Sequence, residues 1–149
     1  MWSSVIAVLG TLLGSVSAYA LQQRSGRVER AEHRTEARRS ERLAAVTALV
    51  SALADHRRAM WVREDLRMAG DTPAAYAAAR AESHVTRSAI TAPLTQVVIL
   101  APSLAQAADQ AVSAAYALRK SPDPATLEAR RTAAISAADR LVAEATALV

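Results

Sequence analysis

The stretch that decides the fold is DPATLEARRTAAISAADRLVAEATAL, which covers residues 123–148. It opens with Asp123 and Pro124, an N-cap residue followed by the residue favoured in the first turn of a helix. Apolar residues then recur three, four or seven positions apart, at Leu127, Ala134, Ala138, Leu141, Ala145 and Leu148. Because this spacing gathers them on one helical face, the stretch predicts an amphipathic helix that other helices must cover.

The same pattern extends back to residue 43. Breaks rich in Gly, Pro and capping residues interrupt it after residues 69, 100 and 120. We therefore predict helices over 43–69, 73–100, 103–120 and 124–148. Gly70 is the expected C-terminal cap of the first, Thr72 the N-cap of the second, and Pro93 should kink the second. Short connections favour antiparallel neighbours, so residues 43–149 should form an antiparallel up-down four-helix bundle.

Each predicted helix carries a stripe of core candidates. The first stripe is Leu43, Val46, Val50, Leu53, Met60 and Leu66, with Leu49 beside it. The second is Tyr76, Ala79, Ser83, Thr86, Ile90, Leu94 and Val97, and the third is Leu104, Ala108, Ala111, Ala115 and Leu118.

The composition supports an all-α fold. Hydrophobic residues make up 52% of the 149 residues, yet aromatics are only 3% and Phe is absent. Small apolar side chains suit closely spaced helices, and 4 Gly and 5 Pro are too few for a turn-rich β fold. With no Cys, disulfides, thiolate metal sites and cysteine nucleophiles are excluded.

Residues 1–21 contain no charged side chain. As a helix they extend about 30 Å, the thickness of a bilayer core, so we predict a transmembrane anchor. Trp2 and Tyr19 would lie at the two membrane interfaces, and Arg24, Arg27 and Arg30 at the cytoplasmic one. The expected location is the cell membrane, single-pass, with the N-terminus outside and residues 43–149 cytoplasmic. A cleaved signal peptide ending at Ala20 and a buried soluble helix are the alternatives.

Within this anchor, Gly10, Gly14 and Ala18 lie four residues apart. Small residues at this spacing let two helix backbones approach closely, which predicts a face for self-association. The same motif also occurs in membrane helices by chance.

Residues 22–42 form a predicted basic juxtamembrane stem, in which residues 24–42 hold seven Arg and four Glu. A solvated helix, contact with anionic lipid headgroups and a bZIP-like basic region are three interpretations. The interleaved Glu residues would repel phosphates, so direct nucleic-acid binding is not expected.

The most distinctive stretch of the bundle is HRRAMWVRED, residues 56–65. Arg57, Arg58, Trp61 and Arg63 are candidates for partner binding, because Trp and Arg are favoured interface residues. The alternative is a structural belt of ion pairs in which these arginines and Glu64 pair with Glu82 and Arg87 on the next helix. We find no nucleophile beside a base, no metal-ligand spacing and no cofactor motif, and therefore predict no enzyme, no metal and no cofactor.

Four features together resemble the KilB-type small membrane proteins of actinobacterial conjugative plasmids and mobile elements. They are the uncharged residues 1–21 with a Gln-Arg flank, HRRAMWVRED (56–65), SHVTRSAITAPL (83–94) and YALR (116–119). The resemblance implies a membrane-associated protein linked to the spread of plasmid DNA through the recipient mycelium. It implies no active-site residues.

Two functions follow as expectations. The first is a membrane-anchored structural or assembly protein that self-associates and recruits partners, among them other plasmid-transfer proteins. The second is a membrane-tethered adaptor or sensor whose bundle binds a small ligand or a lipid headgroup.

Overall fold

The computed structural model describes the backbone of residues 2–148 and the side chains of residues 33–148. The described elements are α1 (Trp2–Ala69), α2 (Pro73–Ala89), α3 (Thr91–Leu100), a 3-10 turn (Pro102–Leu104), α4 (Ala105–Tyr116) and α5 (Pro124–Thr146). The all-α prediction is confirmed. The chain divides into two units, Met1–Arg38 and Arg39–Val149, and the packing below is that of the second.

The predicted anchor lies outside the residues whose side chains are described. So do Trp2 and Tyr19, the small face of Gly10, Gly14 and Ala18, and the basic flank of Arg24, Arg27 and Arg30. In the part of the chain whose side chains are described, no helix is both long and apolar enough to cross a bilayer.

The caps predicted around Gly70 are confirmed. Gly70 has φ +68°, the left-handed conformation that glycine adopts without steric cost, and the Asp71 N–H donates to the Leu66 carbonyl at 3.2 Å. Thr72 then begins α2, because its hydroxyl accepts a hydrogen bond from the Ala75 N–H at 3.3 Å. These contacts end one helix and begin the next within a few residues.

Asp123 begins α5 as the sequence predicts. Its Oδ1 accepts from the Thr126 N–H at 2.7 Å, and its Oδ2 accepts from the Thr126 hydroxyl at 2.8 Å. These hydrogen bonds stabilise the carboxylate and hold the pKa of Asp123 below its ordinary value.

The predicted helix 73–100 is interrupted at Ile90, which separates α2 from α3. Pro93 has no N–H to donate to the Ala89 carbonyl, so the break lies one turn before the proline. The Ile90 N–H donates instead to the Arg87 carbonyl at 3.3 Å. Two other predicted helices are shorter in the structure, since α4 ends at Tyr116 and α5 at Thr146.

Contacts along α1 give the direction of its neighbours. Arg42 Nε donates to the Leu100 carbonyl at 2.9 Å, His56 Nδ1 lies 3.1 Å from Thr86 Oγ1, and Arg63 Nη2 lies 3.4 Å from Tyr76 Oη. Positions on α2 and α3 fall as those on α1 rise, so the two are antiparallel. α4 runs parallel to α1, because His56 contacts Tyr116 and Arg67 contacts Ser121 further along.

The predicted stripes form the core. All five stripe residues of the third predicted helix are buried, and so are Ser83, Thr86, Ile90 and Val97 of the second. Leu43 and Leu148 are corrections to this picture, because they remain 43% and 50% exposed. They are the first and last members of their stripes, where the neighbouring helices also end.

Candidate functional site

Three of the four partner-binding candidates line one groove, which we call the Trp61 groove. It holds about 240 Å³ between α1 and α5, and it is lined by Ala54, Arg57, Arg58, Trp61 and Arg131. The Trp61 ring is half-buried against Met60, Leu118, Leu127 and Ala134. The Arg131 guanidinium lies 6.0 Å from the ring centre, within range of a cation–π contact.

The charge in this groove has one sign. Burial first, and then Arg131 and Arg58, lower the pKa of Arg57, and Asp139 partly opposes them. Arg131 and Arg58 therefore destabilise the charged form of Arg57. Arg58 and Arg131 also have carboxylate partners on their own helices, Asp55 at 4.0 Å and Glu128 at 3.1 Å, so an acidic group in the groove would be attracted chiefly by Arg57, while the Trp61 ring offers it an apolar surface.

Arg63, the fourth candidate, does not line the Trp61 groove. Its side chain is only 9% exposed and faces α2. Nη1 donates to Ser83 Oγ at 3.2 Å and Nη2 to Tyr76 Oη at 3.4 Å, and its guanidinium lies 5.8 Å from the Tyr76 ring centre. The structure thus separates Arg63 from Arg57, Arg58 and Trp61.

The alternative of an ion-pair belt between α1 and α2 is wrong. The ion pairs of the described residues are Arg58–Asp55, Arg67–Glu64 and Arg131–Glu128, each within one helix at i, i+3. Glu82 is exposed, whereas α2 turns the hydroxyls of Ser83 and Thr86 towards α1. Hydrogen bonds to hydroxyls therefore connect these helices.

His56 forms one of these hydrogen bonds between α1 and α2. It is 2% exposed and contacts the Tyr116 ring edge to face, at 5.4 Å between centroids and 89°. Because the Thr86 hydroxyl donates to the Glu82 carbonyl at 3.1 Å, it accepts from His56, whose Nδ1 carries the proton. Burial first, and then Arg87 and Arg63, lower the pKa of His56 to about 4, so the ring is neutral at pH 7.

Beside His56 lies a second, smaller cavity, which we call the Arg63 cleft. It holds about 30 Å³, and its lining residues are His56, Met60, Arg63, Ser83, His84, Arg87, Tyr116 and Arg119. Arg87 lies over the Tyr116 ring at 4.4 Å from the centroid. No side chain of Asp or Glu is among the lining residues.

The sequence did not predict this cleft, and it missed Tyr116, Arg87 and Arg119 as functional candidates. One signal was present, because Ser83 and Thr86 interrupt an otherwise apolar stripe. Polar residues at core positions need buried partners, which here are Arg63 and His56. Among the side chains that the structure describes, no three His, Asp or Glu lie close enough to hold a metal ion.

The sequence profile of the family described as KilB plasmid transfer protein matches residues 43–149. A protein of Streptomyces lividans named Protein KilB is 56% identical over 145 residues, which are 97% of this chain and 96% of the relative. The chain belongs to the KilB family. The resemblance drawn from the sequence is thus confirmed, and the chain is a member of a family of plasmid transfer proteins.

Both cavities lie within the part of the chain that matches the KilB family. The profile begins at residue 43 and contains every residue of the Trp61 groove and the Arg63 cleft. The three bundle segments that carry the KilB resemblance meet at one place, because 56–65, 83–94 and 116–119 each contribute residues to the Arg63 cleft. No solved structure matches the chain.

Proposed function

We propose that this KilB-family chain is a non-enzymatic, membrane-anchored assembly protein of plasmid transfer, which self-associates in the membrane and recruits other transfer proteins. The observation that carries the proposal is the match to Protein KilB over 145 of the 149 residues. So long a match takes in most of the uncharged residues 1–21 as well as the bundle. The match therefore supports treating residues 1–21 and the bundle as parts of one functional unit.

The membrane part of the proposal rests on the charge pattern. Residues 1–21 carry no charge and are followed by Arg24, Arg27 and Arg30. Basic residues are retained on the cytoplasmic side, so the N-terminus is outside and the bundle is inside the cell membrane. The lipid bilayer is then the first partner of the chain.

Labelling of single cysteines tests this topology directly, because the natural chain has none. We expect a membrane-impermeant maleimide to label Ser3→Cys in intact cells and to label Ser136→Cys, on the exposed side of α5, only after lysis. Labelling of Ser136→Cys in intact cells would contradict the orientation. Release of the chain by an alkaline wash would contradict the anchor itself.

Self-association is proposed through the small face of Gly10, Gly14 and Ala18. The test is the mass of the detergent-purified full-length chain. We expect an oligomer that Gly10→Leu or Gly14→Leu dissociates. Val16→Leu is the control, because position 16 lies about 160° round the same helix from Gly14. A monomeric wild type would overturn this part of the proposal.

Recruitment of partners is proposed through the Trp61 groove. Its three arginines and one half-buried tryptophan combine the residue types that dominate binding energy at protein interfaces. The groove fits an acidic segment of a partner, and direct binding of nucleic acid is not part of the proposal.

A second candidate function is a membrane-tethered adaptor or sensor whose bundle binds a small ligand or a lipid headgroup. The Arg63 cleft is the specific observation that favours it, since it gathers cations from α1, α2 and the turn after α4 around a small cavity. The two functions are compatible, because the groove and the cleft have no residue in common.

A further inference from the structure

We propose that the Arg63 cleft is a binding site for a single phosphate-type oxyanion, held between Arg63 of α1, Arg87 of α2 and Arg119 of the turn after α4. This inference deepens the second candidate function and does not depend on the anchor or on self-association. The shared chemistry is that of a phosphate group, either free inorganic phosphate or the phosphate monoester of a lipid headgroup.

The positive charge of the cleft has no carboxylate beside it. Three arginines line the cleft and no carboxylate does. None of the ion pairs among the described residues involves Arg63, Arg87 or Arg119. Like charges gathered without a counter-charge are unfavourable, and an anion between them relieves that cost.

Arg63 is buried without an anionic partner among the described residues. The residue is 9% exposed, and its Nε–H is buried with no hydrogen-bond partner among the described residues. Its other nitrogens bond only to neutral hydroxyls, at 3.2 and 3.4 Å. A buried guanidinium normally meets a carboxylate or another anion, because leaving it unpaired costs free energy. Arg63 is therefore short of an anionic partner.

Two of the three cations, Arg63 and Arg87, are held in place. The Tyr116 ring lies 4.4 Å from the Arg87 guanidinium and contacts His56 with its edge. Arg63 is fixed by Ser83, whose own hydroxyl donates to the Arg80 carbonyl at 2.7 Å. Donors that are ordered before binding lose less entropy when a ligand arrives.

The electrostatic potential at His56 is positive, because two of the arginines lie nearby. Arg87 and Arg63 add to burial in lowering the pKa of this residue. Its ring is neutral at pH 7 and leaves the arginines as the charged groups of the cleft's interior. The cavity is thus positive without needing a protonated histidine.

Size and charge select the ligand class. The cleft is small, about 30 Å³, so it can enclose only part of a small polar group, and the exposed positions of Arg87 and Arg119 leave the rest of the ligand in solvent. A phosphate monoester carries a charge of about −1.5 to −2 and several acceptor oxygens, so it can satisfy guanidinium groups arriving from three directions. A carboxylate carries a single charge and accepts from fewer sides.

The test is a thermal-unfolding titration of the full-length protein in detergent with inorganic phosphate, against potassium chloride at equal ionic strength. We expect a saturable rise in Tm, roughly 5–10 °C at about 100 times Kd. Arg87→Gln and Arg119→Gln should each weaken phosphate binding at least about tenfold, since each loses a charge-assisted hydrogen bond. Both residues are exposed, so neither variant threatens the fold.

Arg58→Gln is the matched control, because it removes the same charge from the Trp61 groove. It should leave phosphate binding unchanged. An equal loss in Arg58→Gln and Arg119→Gln would show general charge screening and overturn the proposal, as would a Tm that does not respond to phosphate, to glycerol 3-phosphate or to short-chain phosphatidic acid.

Two further arms identify the source. Saturation by inorganic phosphate assigns the site to a free ion, whereas a response confined to phosphatidic acid, and lost in Arg119→Gln, assigns it to a lipid headgroup. A shift of the same size with acetate would overturn the preference for phosphate. Because none of these readouts requires an oligomer, their failure is distinguishable from failure of the assembly function.

Discussion

Among the described residues, one half of the bundle buries only apolar side chains, whereas the other half also buries polar ones. In the first, which we call the apolar half, α1 residues 45–53 pack against Ile90, Val97, Ala108, Ala111 and Leu141. In the second, the polar half, α1 residues 56–67 bury His56, Arg63 and Glu64 against Ser83, Thr86 and Ser121. Both halves belong to the same helices. The helical periodicity therefore places apolar side chains against each other in the apolar half, whereas in the polar half it also buries side chains that must form hydrogen bonds.

Hydrogen bonds to backbone carbonyls at and after the end of α4, as well as to side chains, stabilise the polar half. Arg67 pairs with Glu64 at 2.7 Å and also donates to the carbonyl of buried Ser121. Arg130 donates to the Ala117 carbonyl at 2.9 Å, and so satisfies an acceptor that the end of α4 leaves free. These arginines secure the turn that carries Arg119 into the Arg63 cleft.

The strongest test of the comparison is Leu49→Ala in the apolar half. Leu49 is fully buried, so truncation leaves a cavity and should lower the free energy of unfolding by about 3 kcal/mol. Urea unfolding of the full-length chain, followed by circular dichroism, measures the loss. Leu43→Ala is the control, because Leu43 is half-exposed and should cost under about 1 kcal/mol. Equal losses would mean that the apolar half does not dominate stability.

In the polar half, Glu64→Gln should lower the free energy of unfolding by about 2 kcal/mol. Glu64 is 1% exposed, and the substitution weakens its charge-assisted bond to Arg67 while leaving the buried site polar. Glu128→Gln breaks a pair of the same spacing on the surface and should change stability by about 0.5 kcal/mol or less. If the two variants lose the same amount in urea, burial of the pair does not matter.

Acidification should weaken the polar half selectively. The pKa of His56 is about 4 in the fold against an ordinary value of 6.5, so between these values only the unfolded chain takes up the proton. Stability is therefore complete above pH 6.5 and falls as the pH drops towards 4, by up to about 2 kcal/mol at pH 5. His56→Gln should flatten this slope between pH 7 and pH 5. His84→Gln, at an exposed position, should retain it, and a slope unchanged in His56→Gln would refute the assignment.

The smallest expected effect is a gain. Lys120 has φ +56°, which is a left-handed conformation. A residue that has a Cβ atom adopts this conformation only at a cost in free energy. Lys120→Gly should raise stability by about 0.5–1 kcal/mol, less the entropy that glycine gains in the unfolded chain. Lys120→Ala keeps the Cβ and should not raise the Tm when both variants are compared with the wild type by thermal unfolding. A gain from alanine would locate the cost in the lysine charge instead.

Local sequence rules predicted three of the helix caps correctly. Gly70, Thr72 and Asp123 cap helices in the structure as their sequence context indicates, because each cap depends on residues within one turn. The buried faces of α2 and α4 also followed from periodicity. The break at Ile90 was displaced from Pro93 because a proline withholds a hydrogen bond from the residue four positions earlier.

The site was harder to predict. Arg57, Arg58 and Trp61 share the Trp61 groove, since positions 57, 58 and 61 are close on one helix. Arg63 is two residues beyond Trp61 and therefore about 200° further round the helix, so helical geometry predicts a different face, and only its partners Ser83 and Tyr76 needed the tertiary structure. The ion-pair belt failed for a related reason, because the face of α2 that meets α1 carries hydroxyls and not Glu82.

By itself, the sequence determined the all-α class, the caps, the buried stripes and membership of the KilB family, because these depend on neighbours along the chain or on similarity along its length. Only the tertiary structure decided which cations meet. Arg63, Arg87 and Arg119 come from three helical segments that are distant in sequence, and packing brings them to one cleft. The physical reason is that periodicity specifies which face of a helix is buried, whereas the register between helices decides what that face touches.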